Sequence, residues 1–390
     1  MKMVVQLKLK PSPDQATVLE STLHALNQQA NRVSDVAFSE RAFRNYALRR
    51  LVYAEVRSAG IGSQAAQHVI KKVADAYATL RANVKAGNYG KLGSQRRKRV
   101  ESRPITFRID AAHSYDQRNL SFAVDAQTIS LWTLNGRMKD VPFVCSPDAL
   151  KMLAEHKRGE SDLVLRDGMF YLAVSLEVFD AEVYDPDGFI GVDLGIANIA
   201  TTSSGYTAAG RKLNRYRRRE QRLRAKLQAK GTKSAKRLLK RRARKEQRRA
   251  KDTNHVISKR IVAEAERTSR GVALEELTGI RQRVRLRKPQ RVALHSWAFA
   301  QLGEFITYKA RRAGVPLVFV DPAYTSQTCA ECDHVDKRSR VDQGTFICRG
   351  CGVVAHADRN ASRNIACRGG VVWDAGRTSH VPPANPEVRG

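Results

Sequence analysis

The 390-residue sequence predicts a multidomain α/β protein in which a small β-barrel with a helical insertion precedes an α/β domain interrupted by a cysteine ribbon. Three observations lead there. Period-two alternation in residues 1–12 and 100–186 surrounds a block, 13–99, of largely helical periodicity. After Asp185-Pro186-Asp187-Gly188, strands alternate with helices over 187–368. Cys329, Cys332, Cys348 and Cys351 then form two pairs, each enclosing two residues, with fifteen residues between the pairs.

The elements follow in chain order. Val4 to Lys10 alternate as a strand that Pro11-Ser12-Pro13 ends. From Asp14, apolar residues at Leu19, Leu23, Leu26, Ala30, Val33 and Ala37 mark an amphipathic helix. A second helix starts after Gly60-Ile61-Gly62 with Ser63 as N-cap, and carries Val69, Val73, Tyr77 and Leu80 on one face. Residues 87–100, with Arg96-Arg97-Lys98-Arg99, read as a basic loop. Short strands are expected at Ile105–Ile109, Leu120–Val124, Ile129–Trp132 and Phe170–Val174, completed into a barrel by the first strand. Gly369 to Gly390 carry no periodicity and are expected to be a disordered tail.

Charge narrows the partner. The chain holds 70 Lys and Arg against 38 Asp and Glu, a formal net charge of +32, so a polyanion is needed to relieve its self-repulsion, with nucleic acid the leading choice. Residues 211–251 alone hold 21 Lys and Arg and two acids, Glu220 and Glu246, a net of +19. They read as two helices joined at Gly231, each with a thin apolar stripe and a broad cationic face suited to phosphate. Six cysteines, four of them clustered, suit a metal site in a reducing compartment rather than a secreted disulfide scaffold. No segment approaches the roughly 20 apolar residues of a membrane span, and the N-terminus lacks a signal-peptide core, so a cytoplasmic, nucleoid-associated protein is expected.

Three acids punctuate the α/β part. Asp193 closes the apolar run Ile190-Gly191-Val192, where an unpaired carboxylate is costly. Glu275 and Glu276 end the strand Gly271-Val272-Ala273-Leu274, and Asp358 opens a helix with Ala361, Ile365 and Ala366 beneath it. Carboxylates from separate elements can converge on divalent cations as phosphodiester hydrolysis requires, although each acid taken singly also suits a structural role. The cysteine spacing is that of a structural zinc ribbon, which leaves His334 and His356 unneeded as ligands. Arg281 to Arg291 form another basic stretch, followed by a helix in which Trp297 is a core residue.

The order Gly-Val-Asp-Leu-Gly, Leu-Glu-Glu-Leu, four-cysteine knuckle and Ala-Asp-Arg-Asn-Ala-Ser-Arg-Asn-Ile resembles the RuvC-like nuclease of TnpB proteins, insertion-sequence-encoded relatives of type V CRISPR effectors. The match is strong over about 189–367; the N-terminal half agrees in layout and in its Lys-Pro-Ser-Pro-Asp-Gln start. The resemblance implies an RNase H-like (RuvC) domain at 187–368 containing the arginine-rich hairpin 211–251 and a zinc ribbon at 322–355. It further implies a WED-like barrel from 1–12 and 100–186 and a REC-like helical insertion at 13–99. Asp193, Glu275 and Asp358 would be the catalytic acids binding Mg2+, two ions in all, with Glu276 the lesser candidate; Ser326 and Gln327 stand as contacts near the site. The implied activity is RNA-guided cleavage of double-stranded DNA beside a short target-adjacent motif, with a guide RNA as resident partner. A repressor that has lost cleavage and an accessory transposase share much of this residue set, but all three acids are present here.

Overall fold

Val5, Leu7 and Leu9 alternate with outward residues in β1 (Lys2–Leu9), so one face of this first strand is committed to a core. Residues 1–276 and 299–378 are described by the computed structural model, and two compact units divide at Phe179 and Asp180. In the first, β1 joins β2 (His113–Tyr115), β3 (Leu120–Ala123), β4 (Thr128–Thr133), β5 (Gly136–Val144), β6 (Lys157–Arg166) and β7 (Met169–Glu177). Their order is β2-β6-β7-β1-β5-β4-β3. Trp132 N donates to Asn119 O at 2.8 Å and Tyr115 Oη to Trp132 O at 3.3 Å, which leaves the sheet nearly closed around Leu7, Leu131, Phe143 and Leu172.

The helical block begins with α1 (Pro13–Ser39), where Ser12 and Gln15 form a reciprocal capping box and Pro13 occupies the first turn. α1 packs with α2 (Asn45–Ser58) and α3 (Ser63–Lys85) around Leu26, Val33, Leu48, Val52, Val69 and Tyr77. Gly62, not Ser63, caps α3; the Ser63 hydroxyl instead meets Tyr53 Oη at 3.0 Å. The basic stretch expected as a loop contains α4 (Gln95–Glu101), which Ser94 caps through Arg97 N and Arg97 links to Glu101. A further helix, α5 (Pro147–Glu155), separates β5 and β6 and covers the sheet with Met152 and Leu153.

Ile105–Ile109 is not a strand. Ile105 N donates to Tyr77 Oη at 3.3 Å, Phe107 N to Asn31 Oδ1 at 2.7 Å, and Asn27 Nδ2 to Ile109 O at 2.9 Å. Helix side chains thus satisfy the backbone groups that a neighbouring strand would have taken, while Ile105 and Phe107 pack into the helical core.

The second unit contains β8 (Phe189–Asp193), β9 (Asn198–Thr202), β10 (Thr207–Ala209), β11 (Gly271–Glu275) and β12 (Leu317–Val320), ordered β10-β9-β8-β11-β12. The first three strands form an antiparallel meander; β11 runs parallel to β8, and β12 parallel to β11. Residues 180–186, which the sequence suggested would end the β part, pack here: Tyr184 Oη donates to Arg270 O at 2.9 Å and Ala181 N to Arg311 O at 3.0 Å. The basic region forms α6 (Arg211–Lys230) and α7 (Lys233–Arg267), turned by Gly231 at φ +63° and capped by Thr232. Its halves are locked by Arg242, which donates twice to the buried carboxylate of Glu220 at 2.6 and 2.8 Å, and by Arg249 over the Tyr216 ring at 4.3 Å.

α8 (Phe299–Ala313) packs against α7, and α9 (Ala357–Thr378) lies across β8 and β11. The packing of α9 on β8 explains Gly191: a Cβ there would stand 2.0 Å from Ser362 O and 2.4 Å from Ala366 N. Glycine is required by close approach, not by an unusual φ. The expected tail from Gly369 is helical through Thr378, because Gly369 meets Ala273 closely and Trp373 packs on Phe189 at 6.0 Å between ring centroids. The expectations for Arg281–Arg291 and Trp297 lie outside the described residues.

Gly191→Ala is expected to destabilise the second unit by about 3 kcal/mol, the upper part of the usual overpacking cost. Chemical denaturation should show this destabilisation in the transition of that unit and leave the first unit's transition in place.

Candidate active site and metal centre

The parallel pairing of β8 and β11 brings two of the expected acids to one sheet end. Leu274 pairs with Val192, and the next residues along each strand are Glu275 and Asp193. Asp358 enters from the first turn of α9, where its carboxylate also favours the helix N-terminus. It is 4% exposed; its Oδ2 accepts from Asn198 Nδ2 at 2.9 Å and its Oδ1 from Arg340 Nη2 at 3.2 Å.

The electrostatics of the three acids favour a cation. Burial, then the facing carboxylates of Glu275 and Asp358, push the Asp193 carboxyl up to about 7, with Arg340 opposing the shift. Burial also raises Glu275, while the Thr325 hydroxyl and Arg368 lower it. Thr325 is buried and donates to Glu275 Oε1 at 2.6 Å. The sequence points to Ser326 and Gln327 in this loop, but the hydrogen bond to an acid comes from their neighbour Thr325. A hard oxygen donor set under mutual repulsion suits a divalent cation of the magnesium class.

The cysteines form a second centre. Cys329, Cys332, Cys348 and Cys351 place all four Sγ atoms within 4.8 Å of one another, with Cys329 to Cys351 at 3.8 Å and Cys332 to Cys348 at 3.6 Å. Four sulfurs about 2.3 Å from a tetrahedral centre are about 3.8 Å apart, so the donor set fits zinc without rearrangement. The backbone N–H groups of Cys351 and Gly350 aim at Cys348 Sγ at 3.4 and 3.3 Å, and they hold its thiol down to about 6. A small hairpin, β13 (Thr345–Ile347) and β14 (Val354–His356), carries the second pair and leads directly into α9.

A third feature borders the acids. A cavity of about 1030 Å³ runs along α6 beneath Arg211, Arg215, Arg218, Arg222 and Lys226, and Ala197 lies at its wall. Ala197 precedes Asn198, the residue that holds Asp358. The cationic stripe runs from Arg211 to Lys226, sixteen residues or about 22 Å of helix.

The amides that organise the site had a readable signal. Asn360 and Asn364 are four residues apart and therefore share a helix face. Both are buried, and both donate to Thr328 O at 2.7 Å.

Two measurements test these centres. Cys348→Ser should remove the bound zinc and the knuckle's folding contribution; metal analysis would show near-stoichiometric zinc in the parent protein and little in the variant. Asp193 has its folded-state value raised, so the protonated native form gains stability that disappears as pH rises from about 3.8 toward about 7. Denaturation of metal-free protein across that window should show falling stability, and Asp193→Asn should flatten the fall.

The matching family models fall almost entirely in this second unit. Residues 173–278 match the OrfB_IS605 family, described as "Probable transposase", and 299–365 match the Cas12f1-like TNB domain. The CRISPR-associated endodeoxyribonuclease Cas12f1 of Sulfoacidibacillus thermotolerans is 43% identical over 115 residues, 29% of this chain and 26% of that protein. A TnpB-like protein of Methanocaldococcus jannaschii is 34% identical over 122 residues, 31% of this chain and 43% of that protein. CasPhi-2 (Cas12j) bound to crRNA covers 95% of this chain and 98% of its own at a TM-score of 0.49 and 11% identity. The aligned segments span less than half the length of each of the curated relatives. Among the described residues, no helix is long and apolar enough to cross a membrane. Over residues 173–278 and 299–365, the chain is similar to the TnpB-like proteins and their Cas12f relatives.

Proposed function

We propose that the protein is an RNA-guided, Mg2+-dependent DNA endonuclease of a mobile element, cutting double-stranded DNA beside a short target-adjacent motif through one RuvC-like site. The observation that carries this reading is the meeting of Asp193, Glu275 and Asp358 at the strand ends and helix start, beside the cationic groove of α6. The strand order, an antiparallel meander followed by two parallel strands, is that of an RNase H-like sheet and supports the same reading. Bound divalent cations, two in this reading, would supply an activated water and stabilise the leaving oxygen. Asp193, Glu275 and Asp358 hold them; Asn198 and Arg340 fix the Asp358 oxygens, and Thr325 fixes Glu275.

The remaining parts take roles in the same scheme. Zinc closes the four-cysteine ribbon, the nearly closed sheet serves as the WED-like barrel, and the helical block 13–99 as the REC-like insertion. The guide RNA supplies sequence specificity by base pairing, while α6 and α7 meet phosphates without reading bases. The excess of +32 suits work on the nucleoid in the cytoplasm.

Purified protein should carry a discrete RNA, identified by sequencing, and cut duplex DNA matched to it only with Mg2+. Asp193→Ala should retain RNA and target binding and lose cutting; equal cutting by the variant would reject the site, and binding without any cutting by the parent would mark a guide-directed repressor. Replacing Arg218 and Arg222 by Ala should lower the slope of log affinity against log salt by about 1 for each phosphate that the protein no longer neutralises.

A further inference from the structure

The Thr325 loop is held from several sides although nothing in its own sequence demands it. Asn364 Nδ2 donates to Thr325 O at 2.9 Å and to Thr328 O at 2.7 Å. Asn360 Nδ2 donates to Thr328 O at 2.7 Å, and its Oδ1 accepts from Ala330 N at 2.9 Å, one residue beyond Cys329. Arg368 Nη1 reaches the carbonyls of Asp321 and Ala323 at 2.8 and 2.7 Å. At the end of this chain of hydrogen bonds the Thr325 hydroxyl meets Glu275 Oε1 at 2.6 Å.

We infer that Thr325 is a positioning residue for Glu275, and that α9 transmits the placement of the cysteine knuckle to that acid through Asn360, Asn364 and Thr325. The inference rests on the reading of Glu275 as a ligand of the catalytic cation. The geometry has a direct reason. Glu275 is the last residue of β11, and Glu276 N still donates to Val320 O at 2.9 Å, so the strand pairing fixes the backbone here while the Glu275 carboxylate is left to side-chain contacts. One hydroxyl on Oε1 selects a rotamer and leaves Oε2 for a cation. The hydroxyl is useful only if its own backbone is still, and Asn364 provides that by bonding the carbonyl of the same residue. Asn360 and Asn364, one helical turn apart on α9, fasten the loop at both ends of the Thr325–Ala330 segment. α9 also bears Asp358 in its first turn, so the same helix sets the third acid directly and the second acid indirectly.

Groups that orient a metal ligand without touching the metal commonly change affinity by about ten- to a hundredfold when removed. Thr325→Val preserves the shape of the side chain and deletes the hydroxyl. In the full chain with its co-purified RNA, Mn2+ binding followed by electron paramagnetic resonance should weaken about tenfold in Thr325→Val, with zinc content and the unfolding transition unchanged. Thr325→Ser should restore parent affinity. Asn364→Leu should weaken Mn2+ binding as well, and combining it with Thr325→Val should add little, because both act on one oxygen. If Thr325→Val loses its zinc or its folding transition, Thr325→Ala carries the same comparison.

Glu275→Gln separates the two ideas. Weaker Mn2+ binding in Glu275→Gln but parent-like binding in Thr325→Val overturns the positioning role and leaves the acid site standing. Parent-like binding in both overturns the assignment of Glu275 and the inference with it.

Discussion

The packing of α9 on β8 governs the second unit. A helix normally rides on a sheet with side chains between them, but here its backbone comes down onto Gly191, within a distance that even one methyl group would forbid. Several features follow from that proximity. The first turn of α9 is carried to the strand ends, where Asp358 meets Asp193 and Glu275; Asn360 and, one turn on, Asn364 face the loop after β12; and the far end seats Trp373 on Phe189. Forcing the helix away from the glycine would displace all of these groups together, since one rigid helix bears them.

The acids and the cysteines show two ways of managing buried polar chemistry. The thiols receive backbone N–H groups and lie at the mutual spacing of a tetrahedral ion, so that centre is prepared by local chain geometry. The carboxylates come from distant elements; burial first, and then their mutual repulsion, keeps Asp193 in its protonated form to unusually high pH. Arg340, drawn from between the two cysteine pairs, offsets part of that repulsion at Asp358. The knuckle is therefore more than a stabilising insertion: it contributes a charge to the neighbouring site.

Much of this was legible in the sequence, for identifiable reasons. The Cys spacing is short-range and geometrically restrictive, and Gly231 had to interrupt two helical stripes whose periodicity was clear. The three acids stood out because each adjoins an apolar run or opens a helix. What escaped reading depended on partners far along the chain. Ile105–Ile109 alternates as a strand would, yet alternation says nothing about whether another strand or the side chains of Asn27, Asn31 and Tyr77 will take its backbone groups. Ser326 drew attention over Thr325 for want of any local cue, because the decisive acceptor lies 50 residues earlier. The helical end of α9 was hidden by two glycines, tolerated because the first is pressed against β11.

The hydrogen bond from Asn198 to Asp358 joins residues 160 positions apart. Such a site has no partial form: the sheet edge exists early, but its last acid arrives only after the hairpin, the crossover strands and the cysteine ribbon have been synthesised. At about 5–20 residues per second, a ribosome needs roughly 8–30 s to cross that interval. Through that time the growing polypeptide carries its cationic helices α6 and α7 but not yet its third acid. Assembly order thus fixes when the three-acid constellation can first exist, at the far end of an interval most of whose positive charge has already been synthesised.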